Sequence, residues 1–147
     1  MVMTFMKSSK FLTFALAMLL CCGLTSENQE QGGITFFNGT LKEAIAKAKV
    51  EKKFIFFDAY ASWCGPCKAM ERDVFTNATL AKYMNEKFIS VRIDMEKGEG
   101  PNLAKFYTSI DGYPSLLFLD SNGHVIKTLL GSRNADDFLA ESKLVAR

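Results

Sequence analysis

Residues 61–70 read Ala61-Ser62-Trp63-Cys64-Gly65-Pro66-Cys67-Lys68-Ala69-Met70, and the two cysteines separated by Gly and Pro decide how the rest of the chain is read. Three chemistries place cysteines at this spacing: a structural staple, half of a metal site, and a pair that cycles between dithiol and disulfide. A staple acts mainly by closing a long loop in the unfolded chain, and a two-residue loop restricts very little. Exported domains held by disulfides usually carry several spaced cysteines. Here the other two, Cys21 and Cys22, fall in an apolar leader. A closed zinc site needs four ligands, yet the sole histidine, His124, follows a turn and reads as a solvated hairpin residue. The redox reading makes the fullest use of what surrounds the pair.

Upstream, Phe54 to Ala59 (FIFFDA) is almost unbroken in apolar character, as expected of a strand covered on both faces. It leads directly into the cysteine motif. Pro66 fits the first turn of a following helix, where its missing N–H does no harm, and the pattern carries that helix through Met70 and Val74. A sulfur at this helix N-terminus meets unpaired N–H groups and the positive end of the helix dipole, which favour thiolate over thiol. Cys64 is therefore the candidate nucleophile. Cys67, one turn later, can lie close enough to bond to Cys64 while being the more buried of the two, which suits it to resolve a mixed disulfide. Gly65 leaves room for a substrate chain to approach, and Pro66 stiffens the loop.

The remaining pattern alternates strands and helices. Ile34 to Phe37 reads as an opening strand. Thr40 and Glu43 fit a capping box for a helix to about Glu51, with Leu41, Ala44, Ile45 and Ala48 on one face. A second helix from Thr76 or Asn77 to Glu86 uses Leu80, Tyr83 and Met84. The strand Phe88 to Asp94 follows, then a loop from Lys97 to Pro101 and a short helix marked by Leu103, Phe106 and Tyr107. Ser115 to Leu119 and Val125 to Leu130 pair across the turn Asp120-Ser121-Asn122-Gly123. Asn134 caps a last helix, with Phe138, Leu139 and Leu144 expected to face inward. The order predicts an α/β fold, a central mixed β-sheet flanked by helices on both faces.

At 147 residues, 48% apolar and 23% charged, the chain accommodates one ordinary globular domain and a short extra segment. The first 26 residues hold Lys7 and Lys10 and no acid, so the net charge of +2 comes from them and the remainder is balanced. No stretch has the basic density that neutralising a phosphate backbone demands, and nucleic acid is not an expected partner. The leader joins a positive segment, the apolar run Phe11 to Leu20, and small polar residues to Ser26, the three parts of an export signal. Its apolar length falls short of the roughly 20 residues that span a bilayer. Leu19-Leu20-Cys21-Cys22 also resembles the lipobox of bacterial lipoproteins, with Cys22 the candidate lipidation site; otherwise both cysteines are discarded with the leader. The domain plan is a signal peptide or lipoprotein leader over 1–26, a polar tether over 27–33 and one domain over 34–147.

Trp63-Cys64-Gly65-Pro66-Cys67-Lys68 matches the active-site motif of thioredoxins, and the resemblance extends over about Ile34 to Val145. It implies the thioredoxin fold and thiol-disulfide exchange. Asp58 stands six residues before Cys64, at the place of the family's buried acid, and would assist proton transfer to and from Cys67 once desolvation raises its pKa. Tyr113-Pro114 matches the family's cis-proline site, whose backbone would hold an extended substrate strand beside Cys64. Trp63 would flank the same groove; Tyr60 reads equally as groove wall or core. Gly123 and Gly131 fall where the family has its hairpin and post-strand glycines. In two respects the chain departs from thioredoxins. The Lys that neighbours the buried Asp is absent, the aligned residue reading as Ser90, and Arg72 replaces the proline that kinks the active-site helix. Residues 70–75 and the loop Glu96 to Gly100 look more like envelope proteins similar to the C-terminal domain of transmembrane disulfide reductases.

Together these readings lead to the expectation of an exported protein-disulfide reductase in the periplasm or cell envelope. It would be monomeric, free of metal and cofactor, held by a lipid anchor if Cys22 is acylated, and supplied with electrons by a membrane-embedded donor. An oxidase or isomerase, or a non-catalytic adaptor on the same fold, are the alternatives.

Overall fold

The computed structural model describes residues 32–147. The leader, Cys22 and most of the polar tether lie outside the described residues. In chain order the elements are α1 (Leu41–Glu51), β1 (Phe54–Tyr60), α2 (Gly65–Ala69) running into a π-helical turn (Met70–Val74), α3 (Ala78–Lys87), β2 (Phe88–Asp94), α4 (Gly100–Phe106), β3 (Ser115–Leu119), β4 (Val125–Leu130) and α5 (Ala135–Val145).

Local chemistry sets the helix starts. Thr40 and Glu43 form a reciprocal capping box on α1, and the Asn77 and Asn134 side chains accept from the third residues of α3 and α5. The four strands lie in the order β2-β1-β3-β4, with β1 parallel to β2 and the other neighbours antiparallel. This is the mixed α/β sheet the sequence predicts. The middle five residues of β1 are all buried, which explains its continuous apolar run. Side chains alternate across the sheet. Phe56 joins Met70, Leu80, Met84, Phe118 and Phe138 on the side of α2, α3 and α5, while Ile55, Phe57 and Ala59 pack with Leu41, Ala44 and Tyr107 on the other side.

Several expectations require correction. Ile34 to Phe37 makes a single parallel bridge, Phe36 to Ser90, in place of a strand. The Thr35 N–H and the Gly33 carbonyl bond instead to the two ends of the Asn85 side-chain amide, so those backbone groups are taken before a ladder can extend. Leu144 is half exposed, because the four-residue step from Phe138 brings Ser142 to the core face; its hydroxyl donates to the Phe138 carbonyl. The active-site helix is regular only to Ala69 and then widens, with the Phe75 N–H reaching back five residues to the Met70 carbonyl. Arg72 lies in that widened turn. Helix α4 begins at Gly100, where any Cβ would collide with the Asp94 carbonyl and the Met95 backbone. Gly123 closes the hairpin turn at a φ of 88°. No helix of the described residues is long and apolar enough to cross a membrane.

Candidate active site

Strand β1 ends at Tyr60, and four residues later Cys64 caps α2 with extended backbone. Cys64 and Cys67 are joined as a disulfide, their Cα atoms 5.3 Å apart. The Cys64 sulfur also accepts the Cys67 backbone N–H at 3.2 Å, so a donor of the helix N-terminus is already directed at this atom. Pro66 sits in the first turn as expected. The two cysteines are 2% and 1% exposed, so the expected difference in accessibility is absent in this oxidised form: both pack against Ala61, Tyr60 and Tyr113.

An exposed rim surrounds the cystine. Gly65 and Pro66 face solvent, and nothing lies within 4 Å of where a Cβ on Gly65 would stand. Trp63 is 65% exposed, its ring edge-on to Tyr113 with centroids 5.9 Å apart and its indole N–H donating to Glu96 at 2.9 Å. The Tyr113-Pro114 peptide is cis, with Pro114 buried and Tyr113 partly open. Trp63, Cys64, Tyr113 and Pro114 are thus brought together. His124 is exposed and faces Asp120 across the hairpin turn.

Asp58 is 1% exposed, on the same sheet face as Phe56 and Tyr60. Opposite it in the parallel register stands Arg92, and Ser90 pairs with Phe56. Ser90, which reads as the residue at the place of the family's Lys, is thus not the one across from Asp58; Arg92 is, and the buried acid does have a cationic neighbour. Arg92 Nε lies 2.9 Å from Asp58 Oδ2, its Nη1 lies 2.6 Å from Glu71 Oε2, and its guanidinium stacks over the Tyr60 ring at 4.3 Å. The Nε–H is not directed along a hydrogen bond, so both Asp58 oxygens remain without a donor. The pairing is electrostatic. Burial, opposed by Arg92 and aided slightly by the Glu71 charge, holds the Asp58 carboxyl up at about 7. Tyr60 is thereby both a support for Arg92 and a wall of the cystine pocket. Arg92 and Glu71 were missed from sequence, although aligning FIFFDAY on FISVRID from their first phenylalanines puts Asp58 opposite Arg92.

The thioredoxin-like family model matches residues 36–121. This chain belongs to that family. Among curated relatives of this thioredoxin-like chain, a thiol:disulfide interchange protein DsbD of Colwellia psychrerythraea is 30% identical over 110 residues, covering 71% of this chain and 18% of the relative. The chain thus spans less than a fifth of that relative's length. Among solved structures, a candidate disulphide-isomerase of Bacteroides thetaiotaomicron is 41% identical with a TM-score of 0.69, covering 78% of this chain and 94% of the other. The oxidised C-terminal domain of Neisseria meningitidis DsbD is 26% identical with a TM-score of 0.60, covering 76% and 99%. The fold is thus of the thiol-disulfide oxidoreductase type, with Cys64 and Cys67 as its cysteine pair.

Proposed function

We propose that this chain is an exported thiol-disulfide oxidoreductase that works mainly as a reductase of protein disulfides. The observation that carries the reading is the Cys64 sulfur at the cap of α2, receiving a helix N–H and bordered by the exposed Trp63-Gly65-Pro66 rim. In the reduced protein the Cys64 thiolate attacks one sulfur of a substrate disulfide, forming a mixed disulfide and releasing one substrate thiolate, which takes up a proton. Cys67 then gives its proton to Asp58 and attacks the Cys64 sulfur. The Cys64–Cys67 disulfide forms, the second substrate sulfur leaves as a thiolate that takes up a proton, and two electrons have passed to the substrate. Tyr113 and Pro114, with Trp63, hold the substrate backbone during the exchange.

Returning the pair to the dithiol requires a partner dithiol. The DsbD relatives and the leader support a membrane-embedded donor, a place in the periplasm or cell envelope, and protein disulfides as substrates. A lipid on Cys22 would hold the domain at the membrane that supplies its electrons.

The likeness to the candidate disulphide-isomerase favours a second reading, in which the pair reshuffles disulfides. The reduction potential of the Cys64/Cys67 couple separates the two. Equilibration with glutathione is expected to give a value near the roughly −270 mV of a thioredoxin-type reductant; a value of about −180 mV or higher would make the protein an isomerase or oxidant.

A further inference from the structure

We propose that Glu96 is a specificity-determining residue, which makes the groove beside Cys64 prefer disulfides flanked by a Lys or Arg. The inference rests on the reading of this groove as the site of disulfide exchange. Glu96 lies just beyond β2, in the loop that passes the cysteine motif, and its Oε1 is held by the Trp63 indole. Trp63 leans edge-on against Tyr113, and Tyr113 packs against the cystine. One chain of contacts therefore links the carboxylate to the wall of the pocket.

The charge of Glu96 is uncompensated. Among the described residues it has no ion-pair partner. The neighbouring cation, Lys97, is engaged elsewhere, with Asp94 Oδ2 at 3.2 Å and the Ser62 hydroxyl at 3.4 Å. Lys68, on α2 beyond Cys67, makes no ion pair with Glu96. The negative field reaches the groove: burial raises the Tyr113 phenol pKa, and the charges of Glu96 and Asp94 raise it further. A substrate strand laid along Tyr113 meets that field. A cation on the strand gains attraction to the free Glu96 oxygen, and an acid meets repulsion.

The test uses two disulfide peptides identical except for Lys or Glu beside the reactive cysteine, each reduced by the wild-type protein with a chemical dithiol as electron source. The expected ratio of kcat/KM is about fivefold in favour of the Lys peptide at low salt, the upper range for an exposed pair, and it falls toward one as salt screens it. Glu96→Gln keeps an acceptor for the indole and removes the charge, so the ratio should fall most of the way to one, Asp94 being already paired with Lys97; Glu96→Lys should invert it. Trp63 is the only tryptophan, and its emission reports whether the ring has moved. Equal rates on both peptides in the wild type, or an undiminished preference in Glu96→Gln, would overturn the proposal. Loss of preference with displaced Trp63 emission, and no inversion in Glu96→Lys, would also overturn it, since ring placement would then be the cause. Reduction of neither peptide would instead strike the reductase reading on which the inference stands.

Discussion

Cys64→Ser is expected to lose more than about a thousandfold of its disulfide reductase activity, measured as dithiol-driven insulin reduction. Loss of the attacking group of a covalent cycle removes the step on which every other contribution acts, and such replacements cost up to about 10⁶. A serine hydroxyl is not an alternative, because its oxygen does not form the mixed disulfide. Cys67→Ser should behave differently. Attack still occurs, but nothing resolves the adduct, so a covalent complex with substrate accumulates on a non-reducing gel and disperses with added thiol. The contrast distinguishes the order of attack from a general need for both sulfurs. Insulin reduction by Cys64→Ser at the wild-type rate would leave an adaptor as the surviving reading.

The second large effect concerns Asp58, and its sign is opposite to the usual one for a carboxylate. The folded-state pKa of about 7 lies above the ordinary value of 3.8, so between these limits the folded protein binds more protons than the unfolded chain. Stability therefore falls as pH rises from about 4 to about 7, and stays lower above that range. The ceiling on this loss is about 4 kcal/mol at 1.36 kcal/mol per pKa unit. Asp58→Asn removes the titration. The variant should be more stable than wild type at pH 8, by up to a few kcal/mol in urea unfolding, with the difference shrinking toward pH 4. Its resolving step should at the same time slow and lose its pH dependence around neutrality, since Cys67 has lost its base. A parallel pair of stability curves from pH 4 to pH 8 would show that Asp58 does not carry the raised pKa.

The parts of this molecule legible in sequence are those in which local chemistry and tertiary packing agree. Thr40 with Glu43, Asn77 and Asn134 announce helix starts, and each forms its cap. FIFFDA reads as a doubly covered strand because both faces of β1 are buried. Cys64 and Cys67, which form the disulfide, and Tyr113-Pro114, which is cis and packs beside it, are singled out by motif alone. What stayed hidden depends on register and competition between partners. Arg92 meets Asp58 only through the register of two parallel strands, which matching their first phenylalanines gives but neither strand's composition fixes by itself. Ile34 to Phe37 has strand composition, but Asn85, some fifty residues away, captures backbone groups at its start. Leu144 has core composition, yet the phase of α5 set by Phe138 turns it outward. The bond from Trp63 to Glu96 likewise joins residues whose separation carries no pattern.

The exchange depends on Cys64 being the sulfur that ionises readily and attacks first. The most direct measurement is the rate of iodoacetamide alkylation of the reduced protein between pH 4 and 10, with the modified residue identified by mass spectrometry. Modification should fall on Cys64, with an apparent pKa below the roughly 8.5 of a free thiol. First modification at Cys67, or a Cys64 that titrates at or above the free-thiol value, would contradict it.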